Sequence, residues 1–491
     1  MFWADKVASD LKKRKLPLEW VDDMKTPSGK IHVGALRGVV IHDLVYKALV
    51  DLKVKTKYTY IFDNHDPMDA LPVYLPPEFE KYLGMPLYKV PSPVEGFKNY
   101  AEYYAKDFID VFTKIGCNPE ILWSTDLYSS GKMNKVIKEC LDKTNIIKEI
   151  YEEVYKKKLS SDWYPFQVYC SSCGKVSTTR VTNWDGEKVT FVCDVERLKW
   201  TNGCGFEGKA SPFSSKEGIV GKLSWKVEWP AKWKVIGVTV EGAGKDHMSA
   251  GGSHDIASLI CERVLDYPVP YPIAYEWFLI GGRKMSTSKG VGSSASEMLE
   301  ILPPEILRFL MVKTKINQAI NFDPSGNTIP NLFDEYQKFA VSKNPEEKRI
   351  FELSQVIKNP NPIPKIRFID LIQAIQSPNI KIEEDAKVWI PYAKIWLERF
   401  APEEIKFKIT DTQVELSSDQ KKYLSKVADE LDKEWKPDEL QTKLYDWAKE
   451  LNIPTHKAFA GIYLSLFGKK YGPKAAWVIL ENKKLIKEKF S

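Results

Sequence analysis

Over the first 125 residues, short apolar runs alternate with helix-period segments. Leu18–Asp22 predicts a short buried strand, Thr26–Gly34 a turn-rich loop and Ala35–Leu52 a helix. A second strand is expected over Lys57–Asp63, dense in β-forming residues and ending in the acidic loop Asp63–Pro67. A helix over Glu102–Ile115 and a strand over Glu120–Ser124 follow. Strand, helix and strand in this order imply a parallel sheet with helices on its faces and right-handed crossovers. From Asp162 to Gly208 the periodicity fails and Cys, Gly, Thr and Asn dominate, as in an inserted module. Sheet-like patterning returns at Lys234–Val240 and Pro272–Tyr275, so the insertion is expected to split one sheet into halves joined in space. After Pro303 the pattern is helical almost throughout, with the Pro-rich stretch Lys358–Lys365 linking or turning between helices.

A length of 491 residues suggests three domains at roughly 150 residues each. Hydrophobic residues at 43% and charged residues at 28% exclude wholesale disorder. No run approaches the roughly 20 apolar residues of a membrane span, and the opening residues Met1–Asp5 lack a signal peptide's apolar region. Neither secretion nor membrane insertion is expected. A net charge of +6 spread over 72 basic and 66 acidic residues is mostly solvated surface and argues only weakly for an anionic partner. Four of the 7 cysteines cluster, which points to a reducing compartment and a metal in place of disulfides. A cytoplasmic protein is the expectation.

Two segments far apart in sequence carry the strongest chemistry. Pro27–Ala35 (PSGKIHVGA) follows a strand and opens a helix. Its glycines let backbone approach a phosphate, the helix N-terminus offers free N–H groups, and His32 can reach the phosphate chain. Taken alone, it is also what a glycine-containing turn with a capping histidine looks like. Gly281–Gly290 (GGRKMSTSKG) combines mobile Gly, Ser and Thr with the cations Arg283, Lys284 and Lys289. Such a loop can close on a triphosphate and neutralise a leaving pyrophosphate, although solvent-exposed turns share this composition.

Together the two segments resemble the HIGH and KMSKS signatures of class I aminoacyl-tRNA synthetases, in order, separation and strand–loop–helix context. The forms TPSGKIHVG (26–34) and KMSTSKG (284–290) are similar to those of class I lysyl-tRNA synthetases. So are YAEYYAKDF (100–108), GKDH (244–247) with GGS (251–253), YEW (275–277), the Trp-rich 223–233 and the C-terminal 459–473. The resemblance spans most of the chain and is weakest over 340–450. Two positions depart from the pattern: Ala35 stands where the broad class has His and this family often Asn, and Thr287 replaces the middle Lys of KMSKS, leaving Lys289 as second cation.

The resemblance implies a Rossmann-type α/β catalytic domain (1–125 and 216–300) carrying an insertion with a zinc module (126–215). A helical connector (301–345) and an all-α anticodon-binding domain (346–491) would follow. It implies ATP-dependent ligation of L-lysine to tRNA(Lys) through lysyl-adenylate, with Mg²⁺ on the triphosphate, by a cytoplasmic monomer. His32, Lys284 and Lys289 are the expected catalytic groups. Ser28, Gly29, Gly34, Gly244, Asp246, Ser286 and Ser288 join His32 and Lys284 at the nucleotide, with Asp246 at the ribose. Thr26, Trp225, His247, Tyr275 and Glu276 fall at amino-acid positions. Trp225 and Tyr275 read equally as core aromatics, Asp246 as a surface carboxylate, and His247 as a cap or core histidine. A bound ammonium needs a carboxylate. Glu276 between Tyr275 and Trp277 is the expected acceptor, with Glu241 or Asp63 as the alternatives.

Cys170 and Cys173 have zinc-knuckle spacing with Gly174 after the second, and Cys204 sits between two glycines; with Cys193 they form a closed four-thiolate structural set. The second half lacks a close C-x-x-C. Cys117, Cys140 and Cys261 read as buried thiols. The C-terminal third interleaves lysines with aromatics (Trp435, Lys443–Trp447, Phe467–Tyr471), which suits single-stranded RNA but equally describes amphipathic helices. The rival functions are a class I glutamyl-tRNA synthetase-like ligase, whose pocket would need a cation for a γ-carboxylate, and a non-catalytic tRNA-binding paralogue.

Overall fold

The structure is a computed structural model that describes residues 1–490 except 217, 283, 284, 286–292, 358–361, 377–380 and 411–413. Two compact units divide the chain: 1–323 with 342–360, and 324–341 with the rest from 361. The expected boundary near residue 345 is therefore an exchange of segments. Residues 342–360 return to the first unit because Arg308, fully buried, donates to Leu353 O (2.6 Å) and Ile115 O (3.0 Å) and pairs with Asp43. The expected connector also begins inside this unit, with helix Pro304–Lys313.

At the centre of the first unit lies a parallel five-stranded sheet. Its strands are β1 (Glu19–Lys25), β2 (Thr56–Phe62), β3 (Glu120–Trp123), β4 (Val240–Gly244) and β5 (Tyr271–Tyr275), in the order β5-β4-β1-β2-β3. Val21 stands opposite Tyr58 on one side and Val240 on the other, so the two sequence halves meet at β1. Helix α1 (Gly34–Asp51) is apolar on most of its surface and packs on β1, β2 and β4 and against helix Trp3–Lys13.

The strand expected at Lys234–Val240 is a correction. Lys234, Val235 and Ile236 end helix α2 (Trp225–Ile236), Gly237 stops it in the left-handed region (φ 93°), and the strand begins at Val240. Val235 and Ile236 favour strand locally, but α2 is held by burial of Trp229 and Trp233, and tertiary packing outweighs that preference. A second difference is the short parallel pair Phe278–Ile280 with Ile320–Phe322, where the sequence after Pro303 reads as helix.

The insertion does not have a core to itself. Val181, Val189 and Phe191 of its antiparallel three-stranded sheet, with Ile137 and Ile147 of its helices, share one cluster with Val227 and Ile260 from outside it. The second unit is helical among its described residues. Phe333 stacks on Phe368 (4.1 Å) in its first part, while Tyr423, Leu444, Trp447 and Ile462 centre the second. Trp447 and Phe467, legible as RNA-stacking residues, are core; Tyr445 (43% exposed) remains at the surface, stacked on Phe459. No helix among the described residues is long and apolar enough to cross a membrane.

Candidate functional site

A cavity of about 500 Å³ opens at the carboxyl ends of β1, β4 and β5, where parallel α/β sheets place their ligands. The loop after β1 is fixed from three sides. Tyr100 Oη donates to Ser28 O (2.9 Å), Lys30 N–H donates to Tyr74 Oη (2.6 Å), and residues 31–33 bridge to Ser293–Ala295 through Val33 N–H to Ser293 O and Ala295 N–H to Ile31 O. His32 lines the cavity. Burial, reinforced by Lys25, pushes its pKa down to about 3, so the ring is neutral at physiological pH. Gly34 is needed beside it, because a Cβ there would stand 2.8 Å from His32 Nδ1.

Lys284, Ser286, Ser288 and Lys289 lie outside the described residues. Met285 is described, and its methyl would come within 3.3 Å of that same Cβ at Gly34, placing part of the second motif against the first. Ala35, Gly244 and Asp246 line the cavity. Ser28 and Gly29 belong to the anchored loop.

Four of the five expected amino-acid residues meet in the cavity: Thr26, Trp225, His247 and Tyr275. Trp225 opens α2 and sets its indole edge to face with His247 (5.9 Å between centroids). His247 is fixed through Nδ1 and Ser253 Oγ (2.8 Å), and burial lowers its pKa, favouring the neutral ring. Thr26 donates to Asp66 (2.5 Å).

Glu276 is the fifth, and the structure places it apart from the other four. β5 ends at Tyr275, and the Glu276 carboxylate, partly exposed, pairs with Lys245 (2.6 Å), whose ammonium lies over the Trp277 ring. Glu276 is not part of the cavity lining. Of the alternatives, Asp63 lines the cavity but is already matched by buried Lys232 (2.6 Å). Asp66 and Glu228 likewise share buried Lys222.

Glu241 differs. Its two oxygens accept the indole N–H groups of Trp229 (2.8 Å) and Trp233, and among the described residues no lysine or arginine pairs with it. Burial, then the neighbouring Asp22 charge, raises its pKa. Asp23, whose pKa burial also raises, lines the cavity as well, near Lys25 and beside His42 (3.5 Å). His42 accepts Gly242 N–H at Nε2 (2.7 Å) and therefore donates from Nδ1 to Gly38 O (2.7 Å). The cavity thus holds a carboxyl group oriented by two indoles and, among the described residues, not paired with a lysine or arginine. Sequence offered only a weak signal for it, a lone acid within a β-run, because the indoles that orient it come from another element.

The four cluster cysteines converge. Their sulfurs lie within 4.8 Å of one another, with Cys170–Cys204 at 3.5 Å and Cys173–Cys193 at 3.7 Å. Tetrahedral bonds of about 2.3 Å put ligand sulfurs about 3.8 Å apart, so the thiols fit a zinc ion.

The family model of tRNA synthetases class I (K) matches residues 1–357. The chain is 34% identical over 497 aligned residues to a lysine–tRNA ligase of Archaeoglobus fulgidus, covering 98% of this chain and 97% of that protein. It is 35% identical to lysine–tRNA ligase 1 of Methanosarcina acetivorans, covering 98% and 96%.

Proposed function

The chain belongs to the class I (K) tRNA synthetases, and we propose that the cavity at the ends of its parallel sheet is where lysine and ATP react. The enzyme joins lysine to tRNA(Lys). By the chemistry general to class I, the lysine carboxylate attacks the α-phosphate, an α–β phosphoanhydride bond breaks, and pyrophosphate leaves. The terminal ribose hydroxyl of tRNA then attacks the acyl carbon and AMP departs. Neither step needs a side-chain nucleophile, so positioning and charge stabilisation supply the rate. Neutral His32 donates a hydrogen bond to the phosphates without adding a buried charge. Lys284 and Lys289, with Ser286 and Ser288, oppose charge on the departing pyrophosphate; Mg²⁺ arrives with ATP as part of the substrate. Ser28, Gly29, Gly34 and Gly244 leave room for the nucleotide, and Asp246 takes the ribose hydroxyls.

Glu241 receives the lysine ε-ammonium, with Asp23 deepening the negative potential, while Trp225, His247, Tyr275 and Thr26 wall the rest of the substrate. The supporting observation is the Glu241 carboxylate, held by two indoles and lacking a cation among the described residues. This charge arrangement also disfavours glutamate, whose γ-carboxylate would meet Glu241. Burial raises the Glu241 pKa in the free protein, and a bound ammonium would lower it. Lysine affinity should therefore rise with pH, by up to about tenfold per unit, until the carboxylate ionises by itself. A tryptophan-fluorescence titration of lysine binding at stepwise lower pH checks this, and an affinity that rises as pH falls would remove Glu241 from the role.

Cys170, Cys173, Cys193 and Cys204 would hold a structural zinc, supplying a cross-link between loops and no chemistry at the cavity. In the second unit, exposed Tyr445, stacked on half-buried Phe459, is offered as a platform for anticodon bases. The assigned residues come from one chain, which acts in the cytoplasm.

A further inference from the structure

Given a metal at the four thiols, as proposed above, we propose that the cysteine module positions the lysine pocket, with Gly84 and Lys222 as the positioning residues that carry its placement to Asp66 and Thr26.

Two connections run from the thiols to the same carboxylate. The first is backbone. Lys175 donates to Thr201 Oγ1 (2.7 Å) and Asn202 O (2.9 Å), knitting the Cys170–Cys173 turn to the loop that carries Cys204. That knot grips residues 83–84: Val176 N–H donates to Gly84 O (2.8 Å), and Thr201 Oγ1 donates to Leu83 O (2.9 Å). Gly84 N–H in turn donates to Met68 O (2.9 Å), and Leu87 N–H donates to Asp66 O (2.9 Å). Gly84 has φ +89°, and a Cβ there would stand 2.7 Å from Ser177 Oγ and 3.2 Å from both Lys175 Cδ and Thr201 Cγ2. The approach is so close that the two loops move together.

The second connection uses a side chain. Strand Phe166–Val168 pairs with Gly221–Leu223, placing Gln167 opposite Lys222, and two residues after Val168 the chain reaches Cys170. Lys222, 2% exposed, puts its ammonium between Asp66 and Glu228 (2.8 Å to the latter). Glu228 also accepts from Tyr128 Oη (2.6 Å) and contacts His65 Nε2 (2.9 Å). Asp66, fixed by both routes, accepts the hydroxyl of Thr26, which lines the amino-acid side of the cavity. Neither route touches His32, Gly34 or Gly244 on the nucleotide side. Loosening the thiols should therefore weaken lysine binding and spare ATP binding, whereas a merely structural role would weaken both or neither.

The test uses the full-length protein as purified, with metal content measured by elemental analysis and lysine and ATP bound separately by fluorescence titration. Stripping the metal by chelation should raise the lysine Kd at least about tenfold while the ATP Kd stays within about twofold, and restoring Zn²⁺ should reverse the change. Gly84→Ala, with metal retained and an unchanged circular dichroism spectrum, should reproduce the lysine effect at smaller size. Metal-depleted protein whose two dissociation constants change equally, or not at all, overturns the inference while leaving the zinc assignment standing. Protein that holds no metal overturns that assignment, and the inference with it.

Discussion

Lys284→Ala is expected to slow lysine-dependent pyrophosphate exchange by about 10²-fold, a loss on the order of 3 kcal/mol. The dissociation constants for lysine and ATP should barely move, because the contact forms as charge develops on the leaving pyrophosphate. The expectation comes from the cationic Gly281–Gly290 loop and its resemblance to the class I signature, and from two structural facts at its edges. Met285 lies against Gly34, and Ser293–Ala295 bridge directly to the loop that bears His32. Pre-steady-state measurement of adenylate formation separates this from a binding defect; a rate within twofold of the parent would show that Lys284 is not the group involved.

Glu241→Gln should raise the KM for lysine by an amount equivalent to 2–4 kcal/mol, roughly 30- to 1000-fold, with little change in the KM for ATP. The substitution keeps shape but removes the charge that the ammonium meets, and turns an amide toward one of two indole donors. Thermal unfolding of the variant separates loss of fold from loss of affinity. Glu276→Gln is the matched control. Its partly exposed pair with Lys245 is of the kind worth about 0–1 kcal/mol, and it stands apart from the cavity lining. If Glu276→Gln and not Glu241→Gln raises the KM for lysine, the pocket has been built on the wrong acid.

The central strands were legible because local preference and global packing agree: Thr56–Phe62 is a run of β-formers that the fold buries almost completely at its end. The loop from Thr26 to Gly34 was legible for a different reason, since its glycines, proline and His32 mark a turn opening a helix whatever surrounds them. Lys234–Val240 misled because Val235 and Ile236 favour strand, while Trp229 and Trp233, a turn or two earlier, commit the segment to helix. Glu276 misled through its neighbours. Tyr275 and Trp277 suggest a buried carboxylate, yet the strand has ended and Lys245 supplies the cation from the turn after β4. Glu241 stood in the sequence only as an alternative beside Asp63, since the two indoles that orient it are brought across from α2. The same holds for the cysteines: spacing identified the first pair, and only folding brings Cys193 and Cys204 to them. Trp447 shows the limit in the helical unit, where a core aromatic and an RNA-stacking aromatic have the same sequence pattern.

The most direct measurement is amino-acid-dependent ATP–pyrophosphate exchange with the full-length protein, run separately with each of the twenty amino acids at neutral pH. A site with Glu241 and Asp23 facing the cavity and, among the described residues, no lysine or arginine paired with Glu241 predicts exchange with lysine, and none above background with glutamate or aspartate. Exchange supported by glutamate, or by no amino acid at all, would contradict it.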